Sequence, residues 1–189
     1  MTRLTGKGEA RRAAIVEAAA RLLAEAGPDA LTHRAVVAAS GVPLAATTYY
    51  FASIDDLRAA AVEALTAQER AAAEDLVAAV PRRARSAAAT ARLVVDVVHG
   101  AGRTRDDELL ALYARFLACG RHPALRPVLR AARQAIDAAL ADLLDRCGRT
   151  GADVATLVAL VDGSTVSALV EGDGSARRRA EEAVARALG

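Results

Sequence analysis

The stretch that decides the fold is residues 31–57, LTHRAVVAASGVPLAATTYYFASIDDL. Thr32 can cap a helix with its side-chain oxygen, and Val36, four residues later, falls on the inward face of that helix. Gly41 ends the helix because glycine adopts the left-handed conformation at little cost, and Pro43 presets backbone angles that suit a new helix start. The stretch therefore predicts a short helix, a tight turn and a second helix that begins at once.

The second helix is predicted from Leu44 to about Tyr50, which is barely two turns, and Phe51 is the expected core anchor after it. Hydroxyl groups and tyrosines occupy much of this helix. Two short helices joined by a glycine turn are the geometry that places a recognition helix in the major groove of DNA. We therefore interpret residues 31–57 as a helix-turn-helix that leads directly into a third helix.

The same stretch resembles the DNA-binding motif of the tetracycline-repressor (TetR) family of bacterial transcriptional regulators. The family pattern is LT, a mixed segment, G-V-P/S, a second segment, Y-Y/H-F, x-S, and an acidic pair before leucine. The matching residues of this chain are Leu31-Thr32, Gly41-Val42-Pro43, Tyr49-Tyr50-Phe51, Ser53 and Asp55-Asp56-Leu57. The motif also lies near the N-terminus, where the family has it.

The resemblance implies a ligand-responsive dimeric repressor that binds a palindromic double-stranded DNA operator and is released by an unknown small molecule. Side chains that can donate hydrogen bonds or carry positive charge are predicted to contact phosphates: Thr32, His33, Arg34, Tyr49 and Tyr50. Residues of the turn and second helix are predicted to contact bases: Pro43, Leu44, Ala45, Thr47 and Thr48. Methyl-bearing groups can contact the thymine methyl in the major groove, whereas a guanine-reading arginine is absent from this helix.

Two departures from the family pattern affect the prediction of DNA binding. Many members carry a lysine just after the turn and another before the acidic pair, where its charge would meet phosphate. This chain has Leu44 and Ile54 at those positions. The alternative interpretation is a helical small-molecule-binding or interaction bundle with weak or no DNA binding.

Composition bounds the rest of the molecule. The chain has 189 residues, of which 53% are hydrophobic and 3% aromatic, so it is long enough for a sizeable core. Alanine, leucine and arginine at helical spacing predict an all-α protein. We expect a helix-turn-helix DNA-binding domain over residues 1–52 and a helical effector-binding and dimerisation domain over residues 53–189. A net charge of +2 gives no general affinity for polyanions, so the prediction of DNA binding rests on the motif.

Turn-forming glycines and prolines separate the predicted helices. Ser53 can cap the helix that follows the motif, and Asp55 and Asp56 in its first turn favour the helix dipole. The predicted helices outside the motif cover about residues 9–26, 54–80, 86–99, 106–119, 124–146, 153–171 and 175–188.

The helix predicted over residues 153–171 is apolar on all sides, which is typical of a helix that is buried all round. Gly163, Ser164 and Ser167 add small residues that allow another helix to approach closely. One interpretation is a central core helix within a single monomer. We favour the other, a homodimer interface made by the last two helices, about residues 153–188.

The resemblance further implies a ligand pocket among the helices between about residues 54 and 170. The candidate ligand-binding residues offer aromatic surface or a polar group within largely aliphatic helices: Asp96, His99, Tyr113, Phe116 and Asp162. Each has a plainer alternative. A lone aromatic residue on a helix is usually part of the core, and His99 can simply cap the end of its helix.

Other classes of function find little support in the sequence. The histidines His33, His99 and His122 are scattered and no catalytic motif is visible, so we expect neither an enzyme nor a cofactor or metal site. Cys119 and Cys147 are expected to be small buried residues. No signal-peptide core or long uncharged apolar segment is visible, which favours a cytoplasmic protein that does not enter a membrane. Residues 1–8, with Arg3 and Lys7, are either a basic arm that touches DNA or a solvated terminus.

Overall fold

A computed structural model describes residues 6–189, and this part of the chain consists of helices and connecting turns without a strand. The predicted all-α fold is confirmed. Arg3, in the segment predicted to be either a basic arm or a solvated terminus, lies outside the described residues. The helices are α1 (Gly6–Ala26), α2 (His33–Ser40), α3 (Leu44–Tyr50), α4 (Ile54–Ala79), α5 (Ala87–His99), α6 (Asp106–Gly120), α7 (Arg126–Arg146), α8 (Val154–Glu171) and α9 (Ala176–Leu188), with 3₁₀ turns at Pro28–Ala30 and Pro123–Leu125.

Local capping explains where the motif helices begin and end. The Thr32 side chain accepts a hydrogen bond from the Ala35 backbone N–H at 3.0 Å, as predicted for the start of α2. Gly41 ends α2 with φ of 68°, a left-handed conformation that costs glycine little. At the start of α4, Ser53 Oγ accepts from the Asp56 N–H at 3.1 Å, and the Asp56 carboxylate accepts from the Ser53 N–H at 2.9 Å. This reciprocal pair is a capping box, which satisfies two otherwise unpaired donors.

The chain divides into two compact units whose boundary differs from the predicted one. Unit 1 comprises the described part of Met1–Gln68 together with Ala114–Arg130, and unit 2 comprises Glu69–Tyr113 together with Ala131–Gly189. The predicted boundary between residues 52 and 53 falls inside unit 1. The reason is that the first turns of α4 bury apolar side chains in the core of the motif helices, so they cannot be separated from it.

The core of unit 1 holds the helix-turn-helix on α1 and the start of α4. Its side chains are almost completely buried: Ile15, Leu23, Leu31, Val36, Phe51, Leu57, Ala61, Val62 and Leu125 are among them. Phe51 is 4% exposed, which confirms it as a core anchor. The guanidinium of Arg12 lies 5.2 Å from the centre of the Phe51 ring. Burial of one large apolar side chain stabilises a fold by about 1.5–3 kcal/mol, so this cluster fixes the orientation of α3.

The core of unit 2 is formed by α5, α7, α8 and α9 with the second half of α4. One side of α8 is buried there, including Leu157, Val158 and Val161. The other side is exposed within one chain, and Val170 is 83% exposed. The expectation that α8 is buried all round is therefore wrong for the single chain. Both cysteines are buried, as predicted.

Helix α8 is both long and apolar. In the part of the chain that the structure describes, α8 is the one helix long and apolar enough to cross a membrane by length and composition. Core helices of soluble proteins pass the same test, and this helix buries one face against α5 and α9 of its own unit.

Candidate nucleic-acid interface and effector site

The exposed side of α3 carries most of the side chains predicted to contact bases. Pro43, Leu44, Ala45, Thr48 and Tyr49 are all exposed. Leu44 is 48% exposed and Tyr49 is 73% exposed, so both present large side chains to solvent. This surface, the five residues just named, is called the recognition face below. It contains no charged side chain.

The N-terminus of α2 supplies the neighbouring polar groups. Thr32 and Arg34 are exposed and His33 is half-buried. The Thr32 oxygen is occupied as an acceptor by the helix cap, but its own O–H remains free to donate. Within the described residues Arg34 takes part in no ion pair, so its guanidinium is available to an external anion.

The structure corrects the prediction for Thr47. Its side chain is completely buried, so it does not face the exterior as a base-contacting residue must. The Thr47 hydroxyl lies 2.8 Å from the Leu44 carbonyl oxygen, to which it donates, and 3.3 Å from His33 Nδ1. Thr47 therefore joins α3 to α2 from the inside. Sequence position alone did not reveal this, because on so short a helix the buried face depends on how α3 packs.

Tyr50 lies between the recognition face and the core. It is half-buried and packs against the unit 1 core, while its ring meets that of Tyr49 edge-on with centroids 5.1 Å apart. Ile54, at one of the positions where family members carry lysine, also packs partly against this core. Arg58 is not a free cation, because it binds the Pro28 carbonyl and Asp55. The motif thus offers few positive charges for phosphate.

Unit 2 brings together three of the five predicted ligand-binding residues. His99 Nε2 lies 3.0 Å from Thr165 Oγ1 and 3.4 Å from the Tyr113 hydroxyl. Tyr113 donates to Asp162 at 2.9 Å, and Arg133 approaches the second Asp162 oxygen at 3.5 Å. These five residues form a polar cluster, called the His99 cluster below. It joins a fully buried imidazole to a carboxylate that is partly exposed.

Electrostatics keep the His99 cluster neutral at its buried end. Burial lowers the pKa of His99 from 6.5 to about 4, and the charges of Arg177 and Arg103 lower it further. His99 Nδ1 has no hydrogen-bond partner although it is buried. Burial, followed by the Asp162 carboxylate, raises the pKa of Tyr113 well above its usual value, so the phenol keeps its proton. The cluster therefore presents one neutral imidazole and one neutral phenol beside the ion pair of Asp162 and Arg133.

In the described part of the chain, the remaining two predicted ligand-binding residues form no hydrogen bond or ion pair with this cluster. Asp96 forms an ion pair with Arg177 at 2.7 Å, and the same arginine binds Glu181 at 2.9 Å. Phe116 lies on the part of α6 that belongs to unit 1, where it is 50% exposed. Sequence analysis missed Thr165 and Arg133. Only tertiary packing brings them to His99 and Asp162, and neither stands in a motif.

Comparisons with known proteins agree with this geometry. A family model described as "Bacterial regulatory proteins, tetR family" matches residues 15–61, and one described as "Tetracyclin repressor-like, C-terminal domain" matches residues 85–189. No curated protein matches the chain by sequence.

Solved structures of similar proteins cover nearly the whole chain. The multidrug binding protein EbrR complexed with proflavin is 31% identical, with a TM-score of 0.67, over 94% of this chain and 99% of its own. SCO7518 from Streptomyces coelicolor A3(2), described as a transcriptional regulator, is 26% identical, with a TM-score of 0.71, over 94% of this chain and 98% of its own.

An N-terminal helix-turn-helix with an exposed recognition helix, followed by a helical domain, defines a DNA-binding transcriptional regulator that responds to a ligand. The chain belongs to the TetR family of bacterial regulators.

Proposed function

We propose that the protein is a cytoplasmic homodimeric repressor that leaves a palindromic operator when a small molecule binds in unit 2. The observation that carries the DNA-binding part is the recognition face, where Leu44 is 48% exposed and Tyr49 is 73% exposed. Thr32, His33, Arg34, Tyr49 and Tyr50 would position the protein on phosphates. Pro43, Leu44, Ala45 and Thr48 would contact base edges, and Thr47 would hold α2 and α3 together.

Fluorescence anisotropy with labelled DNA from upstream of the protein's own gene tests this function. We expect binding that unlabelled DNA of the same sequence removes more effectively than random-sequence DNA does. A matched variant, Leu44→Asp, should lose the binding because it adds a negative charge to an exposed position without disturbing the core. Failure of the parent to bind any duplex at low salt would favour the alternative function, a helical bundle that binds a ligand but not DNA.

For the effector we propose a planar organic cation that engages the His99 cluster. EbrR, the relative described above, was solved with proflavin and also with ethidium, which are dyes of this chemical class. In this chain Asp162 supplies a carboxylate and Tyr113 an aromatic ring, the groups that stabilise such a cation through charge and the ring face. His99 and Tyr113 add neutral polar groups, since neither is ionised near pH 7.

Titration with ethidium, followed by its fluorescence, tests the proposed effector class. We expect Asp162→Asn to weaken dye binding by about tenfold, as expected for the loss of one partly exposed charge pair. Asp137→Asn is the matched control, because Asp137 also pairs with Arg133, at 3.1 Å, but is not bonded to Tyr113. Equal dye affinity of the parent and Asp162→Asn would contradict the proposed role of Asp162. The dye should also release the protein from its operator.

For assembly we propose a dimer formed by α8 and α9. The exposed side of α8 carries small or apolar residues at helical spacing: Ala155, Ala159, Gly163, Val166 and Val170. A Cβ atom added at Gly163 meets nothing within 4 Å in the single chain, so this glycine is not needed for packing within one protomer. In a dimer the two recognition helices should lie about 34–36 Å apart, or slightly more, which is one turn of DNA.

Light scattering on Gly163→Leu and Gly163→Ala tests the assembly. We expect the leucine variant to be monomeric or weakly dimeric at micromolar concentration, with unchanged helix content, because the leucine obstructs the facing helix. The alanine variant should remain closer to the parent. A parent protein that is itself monomeric would refute the proposed interface.

A further inference from the structure

The hydrogen bonds of Thr47 fix the position of a proton on His33. A hydroxyl has one hydrogen to donate and can accept further hydrogen bonds. The Thr47 hydroxyl lies 2.8 Å from the Leu44 carbonyl oxygen, close to the usual O–H···O distance, and 3.3 Å from His33 Nδ1. The shorter contact takes the hydrogen, because a carbonyl oxygen can only accept. Thr47 is completely buried, so no solvent molecule replaces either contact.

The hydrogen bond at Nδ1 determines whether the other nitrogen of His33, Nε2, carries a hydrogen. Since Thr47 can only accept from Nδ1, the neutral imidazole carries its hydrogen on Nδ1 and leaves Nε2 as a bare acceptor. A bare acceptor repels a phosphate oxygen. Only the imidazolium form places an N–H at Nε2, where it can donate to an anion.

We infer that DNA binding takes up a proton at His33 and that Thr47 is the positioning residue that imposes this requirement. The inference rests on the proposed contact between His33 and a DNA phosphate. Affinity for DNA should therefore rise as the pH falls, by the uptake of up to one proton per subunit. Protonation also adds a phosphate ion pair, so it makes the salt dependence of binding steeper.

The charged groups near His33 leave room for this role. On α2 itself Arg34 is exposed at the next position. From α3 the titratable groups are Tyr49 and Tyr50, and that helix has no acidic or basic side chain. From α1, Arg21 reaches the Ala39 carbonyl at the opposite end of α2. Within the described residues no carboxylate forms an ion pair with His33, so a phosphate would be its first anionic partner.

The experiment measures binding of the full-length protein to a random-sequence duplex, since phosphate contacts do not depend on sequence. Ionic strength is held fixed between about pH 6 and pH 8, within the range in which histidine side chains change charge. We expect the parent to lose at least about tenfold in affinity across this range. Isothermal calorimetry in buffers of different ionisation enthalpy should show uptake of close to one proton per subunit near neutral pH.

Three variants separate the role of each residue. His33→Gln retains a neutral N–H donor and should bind with little dependence on pH. Thr47→Ser retains the hydroxyl and should behave as the parent does. Thr47→Val removes the acceptor at nearly constant volume, which frees the neutral imidazole to place its hydrogen on Nε2, so its pH dependence and proton uptake should both shrink.

The outcomes distinguish the inference from the proposed function. Binding of the parent that is independent of pH, or a pH dependence that His33→Gln retains, overturns the proton uptake at His33. A Thr47→Val variant that is folded by circular dichroism and keeps the parent's pH dependence overturns the role of Thr47. Absence of binding to any duplex at low salt and low pH overturns the proposed function, and the inference with it.

Discussion

Lowering the pH from 7 to 5 should destabilise the folded protein through His99. The folded-state pKa of His99 is about 4, against 6.5 for the free side chain, because the imidazole is buried. Because the pKa of His99 is lower in the folded state, the unfolded chain binds a proton at a higher pH than the folded chain does. The contribution of His99 to the free energy of unfolding is therefore fully present above about pH 6.5 and is lost as the pH falls towards 4. Integrated between pH 7 and pH 5, this linkage amounts to about 2 kcal/mol per chain.

Urea unfolding at fixed protein concentration, followed by circular dichroism, measures this loss. The concentration must be fixed because a dimer gains apparent stability from association. The range stays above about pH 5, so most carboxylates, which titrate near pH 4, contribute little.

His99→Gln should be less stable than the parent at pH 7, but its stability should fall much less on acidification. His122→Gln is the matched control, since His122 is paired with Asp29 at the surface, 3.3 Å away. If the parent loses no stability by pH 5, or if His99→Gln loses as much as the parent, His99 is not the responsible group.

Further predictions concern DNA binding. Tyr49→Phe removes one exposed hydroxyl, so affinity should fall by about 0.5–1.5 kcal/mol on every DNA sequence alike, whereas Thr48→Ala should change sequence preference. If both variants bind like the parent in a competition assay against a sequence library, the recognition face has been misassigned. The slope of log affinity against log salt for the dimer should be weaker than about −6 at neutral pH, because few cations besides Arg34 are free in the motif. Ile54→Lys should make that slope steeper, and a parent slope near about −10 would show that further cations contact phosphate.

The fold could be predicted largely because local signals agree with tertiary packing. Thr32, Gly41 and Ser53 each mark a helix end through a bond or backbone angle that depends on adjacent residues alone. The predicted start of α7 lies two residues before the observed one, because Pro123 begins a separate 3₁₀ turn that composition does not distinguish from a helix. The predicted domain boundary between residues 52 and 53 also differs from that of the compact units, since the number of α4 turns that pack into the first core depends on tertiary packing.

The candidate site could be predicted only in part, for a related reason. A pattern shows which residue types are present, but on a helix as short as α3 it does not fix the buried face. Thr47 and Thr48 are adjacent and chemically identical, yet the structure buries one and exposes the other. The His99 cluster joins residues from four different helices. Asp162 and Tyr113 could be predicted because they are isolated polar groups within apolar helices. Thr165 has no feature that distinguishes it from other helical threonines.

Because the recognition face carries no charge, phosphate binding depends on the few cations elsewhere in the motif. Lysines at positions 44 and 54 would make phosphate binding strong at any pH, but Leu44 and Ile54 supply none. In the described part of the motif each subunit then has Arg34 as its free permanent cation, and a proton on His33 would double that charge. Counterion release contributes in proportion to the phosphates neutralised, so one proton per subunit changes a large share of the electrostatic term. In a lysine-rich motif the same proton would supply a smaller share of that term. The absence of the two lysines therefore enlarges the share of the electrostatic free energy that His33 supplies. Introducing Ile54→Lys should strengthen binding at every pH while leaving the fold-change of affinity with pH unchanged, because contributions of separate contacts add in free energy.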